Sequence, residues 1–281
     1  MKGQDMDAHA ALLAHVTHAL QSLPCIDAVV LGGSQARGTA TPTSDIDIGI
    51  YYGASAPLDQ LAINAVAQQL DDTHRANLVT APGGWGPWVN AGGWLIIDGI
   101  PVDIILRETN RVRDVIAACE VGHISAHYQP GHPHAYINAM YMGELAVCRL
   151  LWDADGTVRA LKARAERYPA ALRSALLDFY GFEAGFSASL AGRYATTQDT
   201  YYVAAHVVRA ISALNQVLFA YNEHYCINEK RAVMQIETFA HRPQNYQQRV
   251  NEVFVALAED MVHASALLQL LVAEVQVLAA H

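Results

Sequence analysis

Two carboxylates one residue apart, Asp45 and Asp47 in "SDIDIGIYY", are the first feature that could do chemistry. On a strand both side chains emerge from one face, leaving Ile46, Ile48 and Ile50 to anchor the other. Like charges this close repel unless a cation sits between them. Mg²⁺ suits the task, because it prefers hard oxygen ligands and is commonly shared with substrate phosphates. The structural alternative has Asp45 turning the chain after Ser44 and Asp47 solvated on an edge strand. Upstream, in "LGGSQARG", Gly32 and Gly33 let the backbone approach a ligand, and their amides with the Ser34 hydroxyl can hold a phosphate oxygen. If residues 34–38 begin a helix, the positive end of its dipole faces the same anion. Arg37 supplies either a phosphate contact or a buried brace; a plain strand-to-helix turn is the alternative for the whole stretch. A third acid, Asp103, lies in "GIPVDIILRE" among Val102, Ile104, Ile105 and Leu106, where a lone charge is costly. It is either on a solvent face or aimed at the same cation. A neighbouring strand bringing it beside the pair makes a three-carboxylate site for one or two Mg²⁺.

The elements that must position these groups follow from periodicity. Apolar spacing over residues 8–23 predicts an opening amphipathic helix, stopped by Pro24. "IDAVVLGG" reads as a buried strand running into the glycine turn, and "SDIDIGIYY" alternates with a strand's period of two. Residues 58–74 look helical, 77–80 form a short strand, and "PGGWGPWVNAGG" is a loop by its Gly and Pro content. "WLIIDGIPVDIILRE" carries two β-rich runs around Asp98-Gly99, a hairpin signal. From Thr109 onward strand signals nearly vanish. Residues 134–152, 157–167, 170–191, 198–226 and 246–280 look helical, with breaks at Asp155-Gly156, Pro169, Gly192 and Pro243. The expected fold is α+β: a mixed β-sheet flanked by helices over residues 1–120, then a helical bundle over 121–281.

Bulk composition narrows the function class. Of 281 residues, 52% are hydrophobic and 16% charged, so the chain has material for a substantial core and no sign of disorder. A net charge of −9 argues against gripping nucleic acid through many phosphate contacts. The four cysteines are widely spaced and read as reduced, buried thiols of a cytoplasmic protein. The N-terminus carries acids and histidines where a signal peptide would need a clean apolar run. The apolar tail is interrupted by Glu259, Asp260, His263, Gln269, Glu274 and Gln276, which suits a packed or interfacial helix rather than a membrane span.

"GGSQARGTATPTSDIDIGIYY" followed by "IPVDIIL" resembles the nucleotidyltransferase superfamily that includes DNA polymerase β. The resemblance implies that Gly33 and Ser34 hold a nucleoside triphosphate and that Asp45 and Asp47 bind Mg²⁺. Asp103 is then the third ligand or the base that activates an acceptor hydroxyl. The helical part is similar to that of bacterial aminoglycoside and lincosamide nucleotidyltransferases. That second, looser resemblance implies that Lys230, after the turn in "NEHYCINEKRAV", reaches the triphosphate; a solvated Lys beside Glu229 is the alternative. It also implies AMP transfer from ATP to a small-molecule hydroxyl; the acceptor is expected in the cleft between domains, a common location for small-ligand sites. Rival readings are a protein- or RNA-modifying relative of toxin–antitoxin type, a nucleotide-binding module without catalysis, and a structural role in which the C-terminal helix dimerises.

Other residues have two readings each. Glu144 on an apolar helix is a salt-bridge partner, to Arg149 or another helix, or, as the resemblance to the drug-modifying relatives implies, a general base that takes the acceptor's proton. His132 and His134 belong to a helix-entry loop rather than a metal site. Trp85, Trp88 and Trp94 either stack on a flat ligand or anchor their loop. Arg107, Arg111 and Arg113 read as a solvated helix face.

Overall fold

A computed structural model describes residues 2–41, 44–197 and 199–279, with side chains from residue 8 onward. In chain order the elements begin α1 (Lys2–Gln21), β1 (Ile26–Leu31), α2 (Gly33–Ala36), β2 (Ile46–Tyr52), α3 (Gln60–Leu70), β3 (Ala91–Ile97), β4 (Ile100–Glu108) and α4 (Thr109–Glu120). They continue β5 (Ala126–His127), β6 (Tyr136–Ile137), α5 (Ala139–Val147), β7 (Arg149–Asp153), α6 (Thr157–Ala165), α7 (Ala170–Tyr194) and α8 (Thr200–Tyr221). The last are α9 (Ala232–Ile236), α10 (Tyr246–Glu259) and α11 (Met261–Ala279). The fold is α+β, and the chain divides into two compact units.

The first unit comprises Met1–Ala117 and Glu144–Arg167. Its five-stranded sheet has the order β3-β4-β2-β1-β7, with β2 and β4 parallel and the other neighbours antiparallel. Alternation decides which face is core. Ile46, Ile48 and Ile50 of β2, Val102, Ile104 and Leu106 of β4, and Leu95 and Ile97 of β3 pack with Leu12, Val16 and Leu20 of α1 and Ile63 and Ala67 of α3. The intervening residues, Asp47 and Asp103 among them, are therefore on the opposite face. At the β3–β4 hairpin Asp98 (φ 53) and Gly99 (φ 74) both take the left-handed conformation. Two such residues match the natural twist of the flanking strands and fix the register at Ile97↔Ile100.

The outer edge of β3 is covered rather than bare. Asp72 N donates to Ile96 O at 2.8 Å and Thr80 N to Gly92 O at 2.9 Å. The buried Asp71 carboxylate accepts from Ile96 N at 3.0 Å, and Arg75 Nη2 donates to Trp94 O at 3.2 Å. Hydrogen-bonded Arg75 holds the Asp71 carboxyl far below the usual range, against the effect of burial. Such cover leaves few unpaired edge groups for another strand to take. The short strand expected at 77–80 is absent, because Asn77 sits at φ 56 and interrupts an extended ladder.

Residues 134–152, expected as one helix, instead contain β6, α5 and β7. β7 pairs with β1 through Leu31↔Arg149 and Val29↔Trp152, supplying the partner that edge of β1 would otherwise lack. That pairing returns Glu144–Arg167 to the first unit, whose first segment ends at Ala117. An apolar run such as "ELAVCRLLWD" fits a buried strand as well as a buried helix, and only tertiary pairing decides.

The second unit, Ala118–Gly143 and Tyr168–His281, contains α7, α8, α10 and α11 packed on one another, with the two-stranded β5–β6 ribbon. Gly192 does not break α7; it lies inside the helix, where a Cβ would overlap the Gln269 side chain of α11. The apolar stretch read as one helix over 246–280 is two. Asp260 adopts φ −147 and its carboxylate caps α11 by accepting from Val262 N at 2.9 Å and His263 N at 3.0 Å. Residues 198 and 280, the ends of two expected helices, lie outside the described residues. Among the described residues two helices, α8 and α11, have the length and apolarity of a membrane span; 67% of the apolar window of α8 and 33% of that of α11 is buried. All four cysteines are free and buried, and burial pushes the Cys119 and Cys148 thiols up to about 12 and about 11.

Candidate active site

The glycine turn and the acid pair are folded onto each other. Gly32 N donates to Asp47 O at 2.8 Å, continuing the β1–β2 ladder one step beyond Leu31↔Ile48. Gly33 then takes φ +56, and a Cβ there would overlap the Asp47 carboxylate. Only glycine allows this backbone to lie against an acid so closely. Ser34 follows in α2, a single turn closed by Ala36 N donating to Gly32 O at 3.0 Å. Arg37 is exposed, and its Nε donates to Gly33 O at 3.2 Å, so it braces the turn from outside rather than as the buried brace considered from sequence. The approach to Asp45 is fixed by Ser44, whose Oγ accepts from Thr41 N at 2.9 Å.

Parallel pairing of β2 with β4 sets Asp47 directly beside Asp103. Asp45 is exposed just before β2 begins at Ile46, whereas Asp47 and Asp103 are half-buried. Burial, then the Asp47 charge, then the Asp45 charge push the Asp103 carboxyl up to about 6. All three influences favour the proton. A hard divalent cation would reverse that balance, and the donor set is entirely carboxylate oxygen. Among the described residues, no three His, Cys, Asp or Glu side chains are gathered as a ready ion site. The acids fit such a cation as an adjacent pair, Asp47 and Asp103, with Asp45 next along the chain.

The register continues outward from Asp103. Antiparallel pairing puts Trp94 of β3 opposite Asp103, so Asp47, Asp103 and Trp94 form one row across the outer face. Trp94 is 63% exposed and stacks on Trp85, with ring centroids 4.7 Å apart and planes at 28°. Trp85 lies against Gly92, where a Cβ would overlap its ring. A signal for this row was present in the sequence. A two-residue hairpin at Asp98-Gly99 pairs 94 with 103 by counting outward.

Several residues considered from sequence lie elsewhere. Arg107 and Glu144 pair in bidentate fashion, Nε to Oε2 and Nη2 to Oε1 both at 2.9 Å, while Nη1 donates to Val89 O at 2.5 Å. Glu144 is thus a salt-bridge partner, but to Arg107 rather than Arg149, and Arg107, with a 4% exposed side chain, is no part of a solvated helix face. Arg111 Nη1 donates to Pro87 O at 2.5 Å and the guanidinium lies 4.5 Å over the Trp88 ring, so Trp88 anchors its loop. His132 and His134 stay in their loop: Glu229 accepts from His134 N at 2.9 Å and contacts His132 Nδ1 at 3.1 Å. Lys230 is exposed in the second unit, its N–H donating to Asn228 Oδ1 at 2.8 Å. Its reach toward a triphosphate is carried by the resemblance alone.

Residues 16–81 match the family model described as a nucleotidyltransferase domain. The match spans the turn, Asp45 and Asp47 and ends before Asp103, which enters the site by register. No curated protein matches this chain. Among solved structures it is similar to a nucleotidyltransferase-like protein from Exiguobacterium sibiricum 255-15, at 10% identity over 91% of this chain and 70% of that one, with a TM-score of 0.43. By that family match, residues 16–81 of the first unit are similar to a nucleotidyltransferase domain, the superfamily that the turn and acids resemble and whose generic reaction moves a nucleoside monophosphate group.

Proposed function

We propose that this domain transfers AMP from ATP to the hydroxyl of a small molecule in a Mg²⁺-dependent reaction, releasing pyrophosphate. The observation that supports this reading most is the Asp47–Asp103 register with the Gly32–Gly33 backbone closed over Asp47. It sets the Gly33–Ser34 turn and two hard carboxylates at the same end of one sheet face, with the Gly32 amide already donated to Asp47 O. In this scheme Asp45 and Asp47 would hold Mg²⁺, and Asp103 would be a third ligand or the base. The ion would supply charge for the triphosphate oxygens. Gly33 and Ser34 orient the β- and γ-phosphates, and Arg37 keeps the turn in shape. The acceptor oxygen attacks the α-phosphorus in line, forming a new O–P bond as the bond to the β-phosphate oxygen breaks. Pyrophosphate leaves with that electron pair, and the hydroxyl proton passes to the Asp103 carboxylate and then to water.

The acidic balance of 27 Asp and Glu against 18 Lys and Arg suits a cationic acceptor, such as an aminosugar, and disfavours a polyanion. The test is turnover of α-labelled ATP in the presence of Mg²⁺ and a panel of aminoglycosides, lincosamides and neutral polyols. Labelled acceptor with stoichiometric pyrophosphate is the expected result. ATP binding with no labelled product on any hydroxylated acceptor, but label appearing on protein or RNA, would replace the small-molecule assignment.

A further inference from the structure

We propose that the outer side of α11 and α7 is a dimer interface, on which α11 meets α11 of a second copy of this chain in antiparallel orientation. The proposal concerns the second unit alone and does not depend on the transfer reading.

Five residues of α11 define the surface. Val262, Ala266, Leu270, Ala273 and Val277 recur at intervals of four, four, three and four, so they share one face of the helix. That face is turned from the core, into which α11 sends Ala264, Leu268, Leu271 and Val275. Val262, Leu270 and Val277 are 53%, 64% and 63% exposed, and both alanines are exposed with them. The surface continues across α7. Gln276 Nε2 donates to Gly181 O at 3.3 Å, and the space beside Gly185 and Gly192 is taken by Gln276 and Gln269, which sets α7 alongside α11. Phe179, Phe182 and Phe186 follow on the outer side of α7 at 50%, 70% and 52% exposure, the last two rings stacked at 5.6 Å.

Area and symmetry select the occupant. At about 200 Å² for each aromatic side chain, the three phenylalanines leave roughly 350 Å² of apolar surface in water, already the size of the largest patch on a typical monomer. The aliphatic row brings the surface near the ~800 Å² that each partner of a stable complex buries. The row also reads the same from either end: Val, Ala, Leu, Ala, Val. Turning a second α11 end for end about a point between Gln269 and Leu270 sets Val262 of one copy opposite Val277 of the other, and Ala266 opposite Ala273. Such a contact is self-complementary, as a two-fold interface must be, and its alanines let the helix axes come close. Charge points the same way. The row has no ionisable side chain, and Glu274, the one carboxylate of α11, is held by Arg249 Nη1 at 2.5 Å. α11 has no Lys or Arg, the residues with which a helix lying on an anionic membrane grips the headgroups.

The test is sedimentation velocity of the full chain over a dilution series. Wild type is expected to pass from monomer to a species of twice the chain mass as concentration rises. Leu270→Glu places two carboxylates beside the two-fold axis and should weaken dimerisation at least about a hundredfold. Because Leu270 lies largely in solvent, circular dichroism melts should show the monomer's fold kept. Orientation is read by disulfide trapping, with the four native cysteines all buried. Val262→Cys and Val277→Cys chains should cross-link when mixed, and neither should cross-link to itself, since antiparallel pairing holds like positions roughly 22 Å apart. Wild type that stays monomeric at every concentration would overturn the proposal. So would a dimer unaffected by Leu270→Glu, or self-linking by either cysteine variant with no link between the two. Flotation of monomeric wild type with phosphatidylcholine–phosphatidylglycerol vesicles would assign the surface to a membrane and overturn it as well.

Discussion

Acids in the two units are treated in opposite ways. In the second unit, Glu183 and Glu229 are enclosed, and burial alone would raise their pKa values. Arg209 and the Ser187 hydroxyl outweigh that for Glu183, and His132 with the amides of His134 and Ala135 outweigh it for Glu229, so both lie below the ordinary value. On the outer face of the first unit, acid meets acid, and Asp103 is pushed up to about 6. One arrangement is complete as folded. The other stores repulsion that a cation would relieve, and it sits where the chain has spent two glycines on bringing backbone against a carboxylate.

The comparison breaks most visibly at Asp47. Asp47→Asn keeps the shape and removes the charge, and it should lower nucleotidyl transfer by about a thousandfold or more with no loss of thermal stability. Activity within a few-fold of wild type would move the metal elsewhere. Gly33→Ala comes next. The left-handed backbone and the overlap with Asp47 predict roughly a hundredfold loss of activity, with destabilisation of about 1–2 kcal/mol, read from denaturant melts.

Neutralising one acid from each unit should then give stability changes of opposite sign. Glu229→Gln leaves the His134 and Ala135 amides a weaker acceptor and is expected to cost about 1–3 kcal/mol at pH 7. Because the pKa of Glu229 is depressed, its contribution is present above the unfolded carboxylate value and fades as pH falls through the folded one. Asp103→Asn should stabilise the metal-free protein, by an amount on the order of 1 kcal/mol after solvent screening. The raised Asp103 pKa sets the window. The charged acid is disfavoured above about pH 6, so the gain is fullest at pH 8 and disappears as pH drops below the ordinary aspartate value. A melting temperature lowered by Asp103→Asn at pH 8 would mean that the acid row is not strained.

Much of the site could be read from residue order, because strand alternation and a two-residue hairpin are local rules. They put Ile46, Ile48 and Ile50 inward, Asp47 outward, and Asp98-Gly99 at a turn. Counting from that turn also gives Trp94 opposite Asp103, a step that looking at the tryptophans alone does not take. Features settled by distant partners were not legible. Nothing near Arg107 says that Glu144 will reach it, and β7 becomes a strand only because β1 has a free edge. The break at Asp260 was hidden for a different reason. Apolar spacing continues through it, and the cap is made by one carboxylate turning back on two amides.

The central claim is that the outer-face acids are half of a metal–nucleotide site, and calorimetric titration of ATP tests it without any acceptor. The account predicts that wild type binds ATP with Mg²⁺ present and loses at least about tenfold in affinity with EDTA. Asp47→Asn should bind as poorly with Mg²⁺ as wild type does without it. ATP affinity that is the same with Mg²⁺, with EDTA and in Asp47→Asn would contradict the claim.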